Sequence, residues 1–289
     1  MFFAKPLLGL DVGSGMIKAV ALERKNGKVA ARQAGIAAMP GGAFSEGTPL
    51  DATAASDFIR RFCRQQGLGG DRVAVAVAGS DVFLTRLRML PEGGRSWKSR
   101  VLEEAARELP LPPEQLHVDY QMLEESPEAA EALVVAARRE KVSSLRDMLR
   151  RAGKTAVVVD AAACALANAF EFNHEPDGEA VAALVNIGAE TVTVSVVRGA
   201  TPLVSRDLTL AGGGFSAEDW SLADRVAAHV ERVFEALDEL AEERPLQPRS
   251  SSVGRLWLSG GGARMAGLEQ TLRARFRMPI EESDPFRRI

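Results

Sequence analysis

The 289-residue chain holds 36 basic and 39 acidic residues, a formal net charge of −3 spread along its length, so no long-range field favours nucleic acid. A hydrophobic content of 46% can bury more than one core, yet no stretch reaches the ~20 apolar residues of a membrane span, and the opening Met-Phe-Phe runs at once into Lys5 and Pro6, unlike a signal peptide. Cys63 and Cys164 lie far apart among apolar helical neighbours, which argues against a zinc or disulfide framework and for buried thiols in a reducing compartment.

In chain order, residues 7–22 (LLGLDVGSGMIKAVAL) predict an apolar strand, a small-residue turn and a second strand, with a third strand after the Asn26-Gly27 turn. Phe58, Ile59 and Phe62 mark one face of a helix over 52–66. Strands at 72–78, 82–89, 117–123 and 132–137, with helices at 96–109 and 141–152, predict a small α+β insertion over 71–153. The segment TAVVVDAAACALANAF then runs strand into helix and returns to the main fold. Residues 182–197 (AALVNIGAETVTVSVV) repeat the opening plan at a constant offset, Asp11 aligning with Asn186 (186 − 11 = 175) and Gly13 with Gly188, so the chain reads as two duplicated halves. The second half continues through an amphipathic helix over 216–241, with Val226, Val230, Val233 and Leu237 on one face, and a stop at Pro245, Pro248 and the Ser250 to Ser252 run. A strand (RLWLS), a glycine turn and a last helix through Leu268, Leu272 and Phe276 complete it. The expected organisation is an α/β fold with residues 1–70 and 154–178 as the first lobe, 71–153 inserted, and 179–289 as the second.

Three glycine turns are the candidate chemistry: Gly13-Ser14-Gly15, Gly188-Ala189 and Gly260-Gly261-Gly262. Phosphate binding needs backbone N–H groups that approach closely, and side chains at the turn obstruct that approach. Singly, each is more often just a hairpin. Together, two related hairpins and a strand-SGGG-helix unit put two phosphate cradles and a nucleoside turn around one cleft.

These turns resemble the motifs of the actin, chaperone and sugar-kinase superfamily, and within it the type IV pilus assembly family PilM. The resemblance rests on GLDVGS followed by Met16-Ile17-Lys18-Ala19-Val20, on VVVDAAACALANAFE, on the second hairpin with VVRGATPLVSRDL, and on SGGGARMAGLEQTLRARFRMPIEESDPF. It covers nearly the whole chain. It implies an actin-like two-lobe ribonuclease-H-type fold with a small inserted α+β domain, and ATP and magnesium as cofactors. It sets Asp11 beside the metal through water, Gly13, Ser14, Gly15, Lys18, Asn186 and Gly188 around the phosphates, and Gly260, Gly261 and Gly262 toward the adenosine.

Two departures bear on activity. The family usually carries aspartate where this chain has Asn186, an amide that brings no negative charge to magnesium or to an attacking water, so hydrolysis is expected to be weak or absent, with Asp11 and Asn186 the only catalytic candidates. Between Leu208 and Arg255 there is room for one long helix and a loop, where the family has several helices, which bears on nucleotide affinity. The resemblance implies a cytoplasmic scaffold, peripheral at the inner membrane, that docks the N-terminal cytoplasmic tail of a PilN-like bitopic membrane protein in a groove formed by the insertion and the first sheet. No nucleic acid and no direct membrane insertion are expected, and self-association stays open. The alternatives are an active ATPase or small-molecule kinase, for which Asn186 removes the obvious carboxylate, and an FtsA-like filament protein, which needs a C-terminal amphipathic helix where this chain ends at Ile289. The basic stripe of Arg138, Arg139, Lys141, Arg146, Arg150 and Arg151, interleaved with Glu140 and Asp147, reads as a solvated face, and His117, His174 and His229 are too scattered for a triad or metal site.

Overall fold

The computed structural model describes residues 7–289 apart from 26, 46, 91–96, 109–110, 211–219 and 244–247. Asn26, Pro245 and the start of the expected long helix at 216–219 lie outside the described residues. The first lobe opens with strands β1 (Leu7–Val12), β2 (Met16–Lys25) and β3 (Lys28–Ala38), a short ladder of β4 (Phe44–Ser45) and β5 (Thr48–Pro49), helix α1 (Ala52–Gln65) and strand β6 (Arg72–Val77). Strand β7 (Val82–Met89), helix α2 (Trp97–Glu108) and strands β8 (Leu116–Glu125) and β9 (Ala130–Arg138) follow. Helix α3 (Arg139–Arg151), strand β10 (Thr155–Ala161) and helix α4 (Ala162–His174) lead to the second lobe. That lobe is built of β11 (Val181–Ile187), β12 (Thr191–Arg198), β13 (Thr201–Thr209), α5 (Trp220–Glu243), β14 (Val253–Ser259), α6 (Leu268–Phe276) and β15 (Ile280–Glu282).

The two large sheets have the same topology, β10-β6-β1-β2-β3 in the first lobe and β15-β14-β11-β12-β13 in the second. Their hairpins also share one register. The pairs of β1 with β2 run from Leu7↔Leu22 to Val12↔Ile17, and those of β11 with β12 include Ala182↔Val197 through Ile187↔Val192, every residue displaced by the offset read from the sequence. Two halves with the same strand plan fold to the same sheet because the same apolar positions must face the same way.

Packing on the two sheets differs. In the first lobe Leu8, Leu10, Ile17 and Ala19 turn to one face and meet α1 and α3 through Ile59, Phe62, Leu145 and Met148. Burying each of the leucine and isoleucine side chains stabilises by about 1.5–3 kcal/mol. Asp51 sets the start of α1, its Oδ1 accepting from the amides of Thr53 and Ala54 at 3.0 and 2.9 Å. In the second lobe α5 and α6 cover one face, with Val226, Val230, Val233 and Leu237 against Ala183, Val185 and Ile187. Helix α4 covers the other, with Ala167 and Phe170 against Ala182, Leu184, Val197 and Trp257. Strand β11 is therefore buried almost throughout instead of alternating, as strands covered on both faces are.

The expected insertion is smaller than 71–153. Strand β6 lies between β1 and β10 in the first sheet, and α3 buries Leu145, Met148 and Leu149 in that lobe's own core. What leaves the main fold is β7 to β9 with α2, a separate three-stranded sheet in the order β7-β9-β8 with its own core around Leu87, Met89, Val101 and Val134. Apolar alternation in RVAVAV fixes that β6 pairs, but not with which neighbour. The basic stripe is corrected at one position: Lys141 is 4% exposed, its Nζ 3.9 Å from Oδ2 of Asp81. Both cysteines are free, Cys63 buried and Cys164 only partly so. Burial pushes both thiols up, Cys164 to about 11 with the Asp160 charge contributing, so neither is a ready nucleophile.

Candidate functional site

The candidate residues gather at the end of the sheets where the lobes meet. Each hairpin turn closes the same way: the amide of Gly13 donates to the carbonyl of Met16 at 3.0 Å, and that of Gly188 to the carbonyl of Thr191 at 2.9 Å. A Cβ on Gly13 would stand 3.0 Å from the Met16 oxygen, and one on Gly188 would stand 3.1 Å from that of Thr191, so closeness of backbone favours glycine at both. Both glycine amides are used inside the turns. Phosphate oxygens would meet the amides that follow them, at Ser14, Gly15, Ala189 and Glu190. The two turns face each other, for a Cβ built on Gly15 comes within 2.8 Å of Cβ of Ala189.

Asp11 and Lys18 are cross-strand partners on the first hairpin and form an ion pair of 2.8 Å, with their side chains 63% and 46% exposed. Such a pair adds little to stability, and a ligand carrying both a cation and phosphate can recruit both partners. Asn186 sits at the equivalent place in the second lobe, and its Oδ1 accepts a hydrogen bond from the Ser259 hydroxyl at 3.2 Å. Gly260 follows with φ +83, and a Cβ there would meet the carbonyl oxygen of Ile187 at 2.4 Å and Oδ1 of Asn186 at 2.8 Å. The third glycine turn thus seats directly on the end of β11, which only glycine allows. Gly261 is exposed with open space around it, and Gly262 is buried. All ten candidate positions are brought to one end of the paired sheets.

Sequence reasoning missed several residues at this junction. Asp207 on β13 accepts from the Gly79 amide at 2.5 Å and from the Thr193 hydroxyl at 2.6 Å, tying the loop after β6 in the first lobe to the second sheet. The Ser45 hydroxyl donates to Oε2 of Glu190 at 2.8 Å, a second tie. Asp160, one residue from the end of β10, pairs with Ala76, on the same face and at the same level as Asp11, about 10 Å away by two strand spacings. Burial holds its carboxyl above the usual carboxylate range, only partly offset by the bond it accepts from the Ala161 amide. Asp160 stands inside VVVDAAACALANAFE and Asp207 inside VVRGATPLVSRDL, so those segments could have flagged both.

Among the described residues no group of three His, Cys, Asp or Glu could hold a metal ion. Magnesium fits here only as a companion of phosphate, bound through waters with Asp11 as its one carboxylate, the habit of this reluctantly dehydrating ion. The residues present fit a nucleotide with its metal in that form.

Below the glycine turns lies a cavity of about 430 Å³, lined by Val77 to Ser80, by Val82 to Thr85 of β7, by Ala161 to Ala163, and by Ser205 to Asp207. Strand β7 is an edge of the small sheet, which among the described residues has the order β7-β9-β8.

Residues 9–242 match the family model described as type IV pilus assembly protein PilM. The fold is similar to that of the PilM-PilN type IV pilus biogenesis complex, at 23% identity and a TM-score of 0.77, covering 100% of this chain and 90% of the other. It is also similar to a Bacteroides thetaiotaomicron protein with an actin-like ATPase fold and unknown function, at 8% identity and a TM-score of 0.55, covering 96% and 91%. MreB 5 of Spiroplasma citri bound to AMPPNP is similar at 12% identity and a TM-score of 0.51, again covering 96% and 91%. The architecture is actin-like.

Proposed function

Because the chain belongs to the type IV pilus assembly protein PilM family, we propose that it is a nucleotide-binding scaffold at the cytoplasmic face of the inner membrane, capturing the N-terminal cytoplasmic tail of a PilN-like bitopic protein. The observation that carries this reading is the cavity between the edge strand β7 and strand β13, with apolar Val82, Phe83 and Leu84 along one wall. An extended tail adds backbone hydrogen bonds to such an edge and seats alternate side chains in the cavity. Attachment runs through the partner. Among the described residues no helix is long and apolar enough to cross a membrane.

Nucleotide acts from the other side of the same junction. Lys18 would meet the phosphates of a nucleotide and Asp11 would hold the waters of its magnesium, which would supply charge neutralisation, while Gly260 to Gly262 would face the adenosine. Asp207 both ties the lobes together and lines the groove, so closing the lobes on nucleotide changes the groove that receives the tail. Asn186 gives magnesium no carboxylate and already accepts from Ser259, so turnover is negligible. Weighing for the alternative, a working ATPase, is Asp160, a half-buried carboxylate with a raised pKa beside the cleft. The deciding experiment for the groove is calorimetry of a synthetic tail peptide against the parent and Leu84→Glu. A charge on the apolar wall should weaken binding by at least about tenfold; equal affinities would move the docking site elsewhere.

A further inference from the structure

A second cavity, of about 350 Å³, lies on the flank of the first lobe between α3 and the start of β10. Helix α3 lines it with Ser143, Arg146, Asp147 and Arg150, which share one helical face by their three- and four-residue spacing, and Lys154 and Thr155 close the other side. It belongs to the sheet face that carries α3, opposite the face of Asp11, and it sits about 10 Å along β10 from the cleft end, since Ala156 pairs with Val73 and Asp160 with Ala76. Its walls set three cations against one carboxylate. Asp147 pairs with Arg150 at 3.2 Å, but the two side chains are 61% and 79% exposed, so water screens the pair and a stronger anion can displace it. Among the described residues Arg146 makes no hydrogen bond or ion pair, and the hydroxyls of Ser143 and Thr155 make no hydrogen bond. Lys154 is buried; its ammonium donates to the carbonyls of Gly70 at 2.6 Å and Leu68 at 3.5 Å, and among the described residues no carboxylate pairs with it. A buried cation without a counter-ion is unfavourable, and an anion in the groove would offset it. The positive field extends to β8, where burial and then the charges of Arg139 and Arg146 hold the His117 imidazole below its usual range. The duplicated half closes the corresponding junction: between α6 and β15, Arg273 donates to Glu269 at 2.8 Å and to the carbonyl of Ile280 at 3.1 Å.

We propose that this groove is a binding site for a soluble phosphate monoester, separate from the nucleotide turns. Apart from the Asp147 carboxylate, the polar side chains that line it are donors: two guanidinium forks, an ammonium and two hydroxyls. A phosphate monoester brings a charge approaching −2 and three strong acceptor oxygens, enough to engage both arginines and a hydroxyl at once. A single carboxylate brings one charge and two oxygens and leaves half of that set unmet. The guanidinium fork matches phosphate geometry in two parallel hydrogen bonds, which a lysine in its place would not. The volume stands at the small end of the range for ligand sites, so the phosphate enters together with part of the molecule that carries it.

The test is calorimetry of the full chain with O-phosphoserine, inorganic phosphate and succinate, in the parent and in variants at exposed positions that leave the fold intact. Saturable binding of O-phosphoserine is expected, weakening steeply with ionic strength. Arg146→Ala should weaken it by at least about tenfold, Arg146→Lys by less, and Ser143→Asp, which sets a second carboxylate in the groove, should abolish it. Inorganic phosphate should follow the same order of variants, and succinate should bind at least about tenfold more weakly than O-phosphoserine. Absence of saturable binding by the parent overturns the proposal, as does equal binding by parent and the Arg146→Ala, Arg150→Ala double variant. Binding that survives in that double variant and is lost in Lys18→Ala belongs to the glycine turns and also overturns it. Succinate binding as tightly as O-phosphoserine would make the ligand an acidic side chain instead, and binding only to vesicles containing phosphatidic acid would make it a membrane surface; either result contradicts the assignment to a soluble phosphate monoester.

Discussion

Gly15 and Ala189, 174 positions apart in sequence, touch across the junction of the lobes: a Cβ on Gly15 would lie 2.8 Å from that of Ala189. The two candidate phosphate turns therefore form one surface only while the lobes are closed. Gly15→Val wedges them apart and should weaken ATP binding by about 1–3 kcal/mol, the usual cost of overpacking. Ala189→Gly in the same chain removes the obstructing methyl and should recover part of it. Calorimetry on the three variants measures the coupling, and strict additivity would mean that the turns act independently.

Asp207 is expected to link the lobes and the groove. Asp207→Ala leaves the Gly79 amide and the Thr193 hydroxyl without their acceptor, at a cost of about 1–3 kcal/mol each where water cannot replace it. Thermal melting should fall, and tail affinity should fall with it. Unchanged affinity alongside a lowered melting point would confine Asp207 to stability.

Turnover should be negligible in the parent chain. Asn186→Asp keeps an acceptor for Ser259 while adding the missing charge, so the variant should fold and gain phosphate release, on the order of a hundredfold if the carboxylate alone was lacking. Robust hydrolysis by the parent, abolished by Asp11→Ala, would contradict this assignment.

Asp160 makes stability depend on pH. Its carboxyl titrates higher in the folded chain than in the unfolded one, because burial disfavours the charge. The folded state thus holds the proton more tightly, and the stability this contributes is full below about pH 3.9 and is lost as pH rises through the folded pKa. Asp160→Asn should remove that slope and raise stability at neutral pH, read from denaturant midpoints at several pH values. A variant less stable than the parent at pH 7 would show that the carboxylate is held by partners rather than strained by burial. Residual ATP turnover lost in the same variant would favour the ATPase reading.

The duplication was legible because strand plan is local: LDVGSG and VNIGAE carry the same alternation, and the register of both hairpins follows from it. The site turns were legible for the same reason, glycine being required wherever backbone meets backbone. Membership of β6 and α3 was not, since RVAVAV would pair equally well with β1 or with β7, and the choice rests on contacts far along the chain. Nor was the tie made by Asp207: the residue stands in VVRGATPLVSRDL, but its partner Gly79 is 128 residues away. The burial of Lys141 was hidden by its charge: periodicity set it on a basic stripe, and only its neighbours in space, Gly47 and Asp81, make it an interior residue.

The most direct measurement is a titration of the full chain with the N-terminal cytoplasmic tail of its PilN-like partner, with and without ATP and magnesium. A ligand that binds the closed state alone stabilises it by RT ln(1 + [L]/Kd), and linkage passes that preference to any second ligand of the same state. Saturable tail binding, tightened about five- to 150-fold by nucleotide, is the predicted result. Absence of tail binding by a folded sample in both conditions would contradict the account.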